Sequence, residues 1–457
     1  MWSENKSGFS RRQFLKASSM LAVGGVLAAC APAAAPSGGT QAEGSGEAAT
    51  TEGNVVNFWY AWGNFDPAME QIAASEEWAE IGGGATLEYR GAIESEALLT
   101  AIASGTPPDA GSNFDYPNLF ARGAAIPVQD LIESSDILKQ ENILDWVWDY
   151  AFFGGEMIGI PGIESYVQYG LNYNTNAVEK AELDPSSPPT TWSEALDWHR
   201  ALTIKDDAGN LQQIGLDPYD AMGGDVDFGP LSYGVLWFNE ETREFDLDNE
   251  RIADLLDTTA EFYRIAGPDQ FAGMRQVSGQ GTWGASYNAG VQTMIIEGYW
   301  HPGETQIQQP EIAQYNVASW APMSDDRKDV KMQGVNAHLV QIYKDGKNPQ
   351  GAVNLGEMFN TVKACDVIFK EVGWIHGVNE FLPTIDADAY PGLRFYIDTI
   401  PEVTEWHLLR RCPIHWFMAD QQTEIREQVY RDNMSPAEAA AELQRRAEAE
   451  WAAQGLS

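Results

Sequence analysis

The chain predicts an α/β fold in two lobes, and three observations carry that expectation. Strand-like and helix-like segments alternate from residue 54 onward, the pattern of a largely parallel sheet with helices packed on it. The body beyond residue 53 holds roughly 400 residues, more than one hydrophobic core comfortably serves. A hydrophobic content of 44%, with 16 Trp, 17 Tyr and 18 Phe, is ample for two cores.

Residues 1–29 read as an export signal. Ser10-Arg11-Arg12-Gln13-Phe14-Leu15-Lys16 gives a charged start, residues 17–29 a short apolar run, and Leu27-Ala28-Ala29-Cys30 small residues before a cleavage point. The Arg11-Arg12 pair followed by Phe-Leu-Lys points to the twin-arginine export route. The apolar run falls short of the about 20 residues that a membrane-spanning helix needs, so it is no ordinary anchor. Leu27-Ala28-Ala29-Cys30 resembles a bacterial lipobox, which implies cleavage before Cys30 and acylation of its thiol. Residues 30–53 lack the large apolar groups that offset chain ordering, and they read as a flexible, lipid-anchored linker. A chain of that length reaches roughly 25 Å, which keeps the body close to a membrane.

The body then alternates. Residues 54–60 have the β-branched and aromatic content of a first strand, followed by a turn at 64–67 and a helix over 69–80. A strand at 86–89 precedes a helix that Ser95 caps and that Gly105 and Pro107-Pro108 end near Ser104. After a segment at 109–114 come a helix at 116–122, a hairpin arm at 155–161 and a single strong strand over 167–173. Thr191-Trp192-Ser193-Glu194 is a capping box for a helix to about Leu202. An amphipathic helix at 250–265 and an apolar strand at 291–296 follow. Residues 324–331 read as a mobile polar stretch, 337–343 as a strand and 349–362 as a helix. Ser435-Pro436-Ala437-Glu438 joins a capping box to a proline at the first helical position, opening a last helix to about Ala453.

Charge narrows the partners. Net charge is −39, and the leader carries Lys6, Arg11, Arg12 and Lys16 against Glu4, so the body without it is more acidic still. Nucleic acid and anionic lipid would both repel it. Cys365 and Cys412 are the only cysteines of the body, either one disulfide or two buried thiols. Gly279-Gln280-Gly281-Thr282-Trp283-Gly284 matches a dinucleotide fingerprint by its letters alone, without a clear strand before it. Cys412-Pro413-Ile414-His415 has no second half to complete a metal site. No cofactor, metal or catalytic residue is expected.

Five segments in order resemble the extracellular solute-binding proteins of ABC importers, in the sugar-binding group that includes maltose-binding protein. They are the run from Leu98 to Asp109, Ile158-Gly159-Ile160-Pro161, Leu171-Asn172-Tyr173-Asn174, the run from Ala289 to Gly298-Tyr299-Trp300, and the helix opened by Ser435. The resemblance implies a two-lobed, periplasmic-binding-protein-like α/β fold of class II type, with crossing strands joining the lobes and a ligand cleft between them. It implies lobe one at 54–163 and 337–382, lobe two at 164–336 and 383–457, and crossings near 162–166, 334–339 and 381–385. It also implies a monomer that is no enzyme, working outside the cytoplasm, tethered to the cell membrane, with permease subunits of an ABC importer as partner.

A sugar offers apolar C–H faces and a girdle of hydroxyls, so its cleft needs aromatic platforms and carboxylates or amides together. Trp59, Tyr60, Trp62 and Asn64 follow or end the first strand, where open parallel sheets present ligand sites. By the resemblance, Asp115 with Phe114 falls in a ligand-contact region, Glu164 matches a hydroxyl-binding carboxylate at the first crossing, and Trp300 and Trp416 match stacking positions. Trp283 and Trp374 are further candidates. An aromatic residue is more often core than platform, so each position is an expectation to test. Three other readings stand beside a carbohydrate carrier. A secreted glycoside hydrolase also sets paired carboxylates among aromatics. A cleft for a peptide, polyamine or organic metabolite is another, carboxylates with aromatics suiting a polyamine through cation–π contacts. A repetitive adhesin fits poorly, because the chain shows no repeats.

Overall fold

The computed structural model describes residues 54–277 and 285–456. Arg11, Arg12, Cys30 and the linker, like Trp283, lie outside the described residues. Val55–Tyr60 shows why the first sheet forms: Val56, Phe58 and Tyr60 alternate inward and are fully buried. It pairs in parallel with Thr86–Arg90 on one side and Ala110–Ser112 on the other, and Gln341–Ile342 closes that edge antiparallel. The result is a four-stranded sheet covered by helices that include Asp66–Ala73 and Pro349–Phe359, with Val362–Val372 packed on the first of these.

A second, five-stranded sheet runs in the order Asn316–Ser319, Leu171–Asn174, Gln292–Ile296, Leu211–Leu216, Ile204–Lys205. Its middle strand, Gln292–Ile296, is buried at every position, as an inner strand covered on both faces must be. Trp192–Leu202, Glu250–Ala266, His415–Tyr430 and Pro436–Ala453 pack around it and on one another. Both capping boxes read from the sequence form: Ser435 and Thr191 each accept the backbone N–H three residues on, and the Glu there accepts in return. Between the two sheets lies a third, of Glu405–Leu408, Met332–Ala337 and Ser165–Val167. The fold is therefore two α/β lobes joined at a small hinge sheet, as expected. Among the described residues, no helix is long and apolar enough to cross a membrane.

The structure corrects several element readings. The strand read over 167–173 is two strands, Ser165–Val167 in the hinge sheet and Leu171–Asn174 in the five-stranded one. Gly170 sits between them against the Tyr396 hydroxyl, where an added Cβ would come to 2.2 Å. The strand read over 337–343 divides likewise into Met332–Ala337 and Gln341–Ile342, in different sheets. The helix over 69–80 breaks at Ser75, whose hydroxyl accepts the Trp78 N–H and starts Glu76–Ile81. The helix over 349–362 ends at Phe359, and Thr361 caps a new one. Ser95 is the first residue of its helix rather than its cap; the cap position belongs to Glu94, without a side-chain bond. The polar stretch 324–331 is tied down: Arg327 donates to both carboxylate oxygens of Glu405 at 2.8 and 2.9 Å, and Arg251 pairs with Asp326. Residues 381–385 form the 3-10 turn Leu382–Thr384 outside the hinge sheet, consistent with Pro383 having no N–H for a ladder. Ile375 and His376 lie beside Ser165 instead. Cys365 and Cys412 are free, buried thiols in separate clusters.

Candidate functional site

The cleft beside the hinge sheet encloses roughly 360 Å³. Each lobe and the hinge supply part of its wall. From the first sheet, the loop after Val55–Tyr60 presents half-buried Trp62, and the turn after Ala110–Ser112 presents Asn113 and Phe114. Asn113 holds a left-handed backbone, φ 60, which an asparagine tolerates better than most residues. Trp62 lies in the bend beyond the strand's end and reaches the cavity, whereas Trp59, within the strand, does not. Trp59 leaves the strand on the face opposite Tyr60, beneath the Arg90 guanidinium at 5.8 Å. Asn64, at φ 61, is an exposed turn residue before Asp66–Ala73 and is not in the wall. Tyr60 is fully buried and is not in the wall.

Glu164 stands at the first passage between lobes, directly after Ile163, a β-branched residue at φ 54. Such a backbone is strained and persists only where its surroundings enforce it. The Glu164 carboxylate accepts the Tyr299 hydroxyl at 2.7 Å and the Gln168 amide at 3.3 Å on one oxygen. Its other oxygen lies 3.2 Å from His338 Nε2. Tyr60 is 2.7 Å from His338 Nδ1, so the network assigns Tyr60 O–H as donor to Nδ1 and Nε2–H as donor to Glu164. Ile375 N–H donates to the Tyr299 oxygen at 3.0 Å and closes the chain of bonds. Burial, reinforced by Arg410, holds His338 down to about 3, so this histidine is neutral. Burial pushes the Glu164 carboxyl up to about 7, against the pull of Tyr299 and Gln168.

From the second lobe comes Trp300, the first residue of Trp300–Gln308, 7% exposed. Glu304 follows one turn later on the same face and accepts Trp374 Nε1–H at 2.8 Å. Burial, then the neighbouring Glu297, raises Glu304 to about 8. Trp374 is itself 4% exposed and stacks on Phe65, with ring centroids 5.6 Å apart. Trp416, at the start of His415–Tyr430, is 45% exposed and has the Arg410 guanidinium 5.1 Å over its ring. Asp115 lies in a small recess behind Trp416 and Arg410; it caps Tyr116–Ala121 by accepting Asn118 N–H at 3.3 Å, and burial pushes it up to about 7.

The structure thus brings Trp62, Glu164, Trp300, Trp374 and Trp416 to one cavity and leaves Trp59, Tyr60, Asn64 and Asp115 outside its wall. Gln168, Glu304, Asn336, His338 and Arg410 also line it and were not singled out from the sequence. Glu304 had a readable signal, four residues after Trp300 on one helix. Arg410 had none, since its place depends on contacts with residues far away in the chain. Among the described residues, no His, Cys, Asp and Glu group has the makings of a metal site.

Two α/β lobes, a hinge sheet and a cleft of aromatics and polar groups at that hinge define the class of two-lobed periplasmic-type binding proteins. The family model for bacterial extracellular solute-binding proteins matches residues 62–359, and the chain belongs to that family. Solved structures agree over most of their length. CpMnBP1 with mannotriose bound has a TM-score of 0.75 at 18% identity, covering 86% of this chain and 99% of that one. An ABC substrate-binding protein of Listeria monocytogenes in complex with cycloalternan gives 0.69 at 14% identity, covering 87% and 99%. The maltose/maltodextrin-binding domain of Bdellovibrio bacteriovorus bound to maltotriose gives 0.65 at 14% identity, covering 87% and 99%. No curated protein matches the chain.

Proposed function

We propose that this chain is a lipid-anchored extracytoplasmic binding protein that captures a carbohydrate, an oligosaccharide or glycoside, for an ABC importer. The observation that carries the reading is the convergence of Trp62, Trp300, Trp374 and Trp416 with Glu164, Glu304 and buried amides on one cleft. Flat apolar platforms with directional acceptors between them fit the two kinds of surface that a sugar ring presents. The bound mannotriose, cycloalternan and maltotriose of the similar folds support the same ligand class. The lobes are assigned to 54–163 with 337–382 and to 164–336 with 383–457; the chain acts as a monomer, and permease subunits take the ligand-closed form. A ligand drives closure only by binding the closed state better than the open one.

Thermal shift against a panel of mono- and oligosaccharides is the deciding test. At least one sugar should raise Tm; a shift with a polyamine or peptide and none with any sugar would overturn the assignment. A polycation is disfavoured by Arg410, which places a guanidinium in the same wall. Hydrolysis is the competing reading, because Glu164 and Glu304 face one cavity with raised pKa values. The binding reading expects no product from an oligosaccharide after prolonged incubation.

The leader carries its own expectation. Lipid labelling of the expressed protein should vanish in Cys30→Ser, and export should stop when Arg11 and Arg12 both become lysine. Export that continues unchanged would assign the general route.

A further inference from the structure

Behind the cleft, two buried carboxylates hold Arg410, which touches one of its platforms. Asp225 accepts from Arg410 Nε at 3.3 Å and Nη2 at 3.2 Å, with side chains only 5% and 12% exposed. Asp227 accepts the Arg410 backbone N–H at 2.6 Å. The same two carboxylates flank His415, at 3.8 Å from Asp225 and 3.9 Å from Asp227. Arg410 and His415 in turn are the two groups set against Trp416. The guanidinium lies 5.1 Å over the indole face, and the imidazole meets it edge-on with ring centroids 5.1 Å apart.

Trp416 needs such support. Trp300 and Trp374 are fixed by burial, but Trp416 is 45% exposed, and packing alone leaves an exposed indole free to change rotamer. Arg410 also occupies a left-handed backbone, φ 57, which disfavours any residue with a Cβ and suits glycine. Glycine would relieve that strain and lose the guanidinium. An arginine there is explained by what its side chain does: it is planar, delocalised and suited to stack on an indole. We infer that Asp225 and Asp227 are positioning residues of the ligand site, fixing Arg410 so that Trp416 offers one set face to the ligand. The inference rests on the carbohydrate reading only for its ligand, not for its geometry.

The test therefore has a ligand-free arm. The near-UV circular dichroism of Trp416 is isolated as the full chain minus Trp416→Phe, and again in the Asp225→Asn background. Its band should be strong in the first difference and collapse in the second; an unchanged band overturns the inference. Arg410→Lys keeps the charge, loses the planar stack and should collapse the band as well, which covers the case of Asp225→Asn failing to fold. The ligand arm uses maltotriose and mannotriose. Asp225→Asn should weaken binding about tenfold beside the native Trp416 and add nothing in a Trp416→Ala background, the non-additivity of residues acting through one another. Equal losses in both backgrounds would mark a merely structural role and overturn the inference. If neither trisaccharide binds the native chain, the ligand arm passes to whichever sugar of the panel does, while the dichroism still decides the positioning role.

Discussion

Trp300→Ala should lower affinity for the sugar identified in the panel by about 2–4 kcal/mol, roughly 30- to 1000-fold, measured by titration calorimetry. Large losses come from aromatic anchors that are desolvated and set in one orientation, and Trp300 is both. Its ring lies so close to Gly298 that an added Cβ would come within 2.2 Å of it, and it meets Tyr299 edge-on at 5.6 Å. Truncation also leaves a void beside Tyr299, so some loss of Tm accompanies it. Gly298→Ala separates the two effects, because it keeps the indole and pushes it off its seat. It too should weaken binding, with less damage to the fold. Full affinity in Trp300→Ala would remove this residue from the site.

The residues the sequence showed plainly are those whose reason is local. Alternation in Val55–Tyr60 and the Thr191 and Ser435 capping boxes depend on neighbours a few positions away, and each stands as read. The two strands that sequence ran together, at 167–173 and 337–343, failed for one shared reason. Both are places where the chain passes between sheets, and an unbroken apolar run has the same letters whether one sheet or two bury it. The pattern of residues therefore hid the change of sheet, and only the family resemblance implied crossings near 162–166 and 334–339. Within the cleft, the tryptophans were visible because aromatic residues are few and large. Arg410 and His338 were not, because their roles come from Asp225, Trp416, Tyr60 and Glu164, and nothing in the intervening sequence ties them together. The first-strand candidates divide by geometry: neighbours on a strand point to opposite faces, so Trp59 and Tyr60 could not share one environment.

Glu164→Gln should change the pH dependence of stability. Burial raises the native Glu164 pKa from 4.5 to about 7, so between those values the native state holds a proton that the unfolded chain has released. Stability from this group is therefore lost as pH rises from about 4.5 through about 7, on the order of 3 kcal/mol in all, and is constant beyond. Asp115, at about 7, and Glu304, at about 8, act in the same direction. His338 and His376, held near 3, and His199, near 4, act oppositely and cost stability as pH falls below 6.5. All of these stay in the variant, so the difference between variant and native curves isolates Glu164. Urea unfolding should show the glutamine chain gaining on the native one from pH 5 to 8; parallel curves would show that Glu164 is not buried as charge. Affinity should move the other way. A sugar hydroxyl donating to Glu164 meets a stronger acceptor in the carboxylate than in an amide, so the variant should bind more weakly above pH 7. A chain that is less stable for keeping a carboxylate there, and binds better for it, has placed that charge for its ligand rather than for its fold.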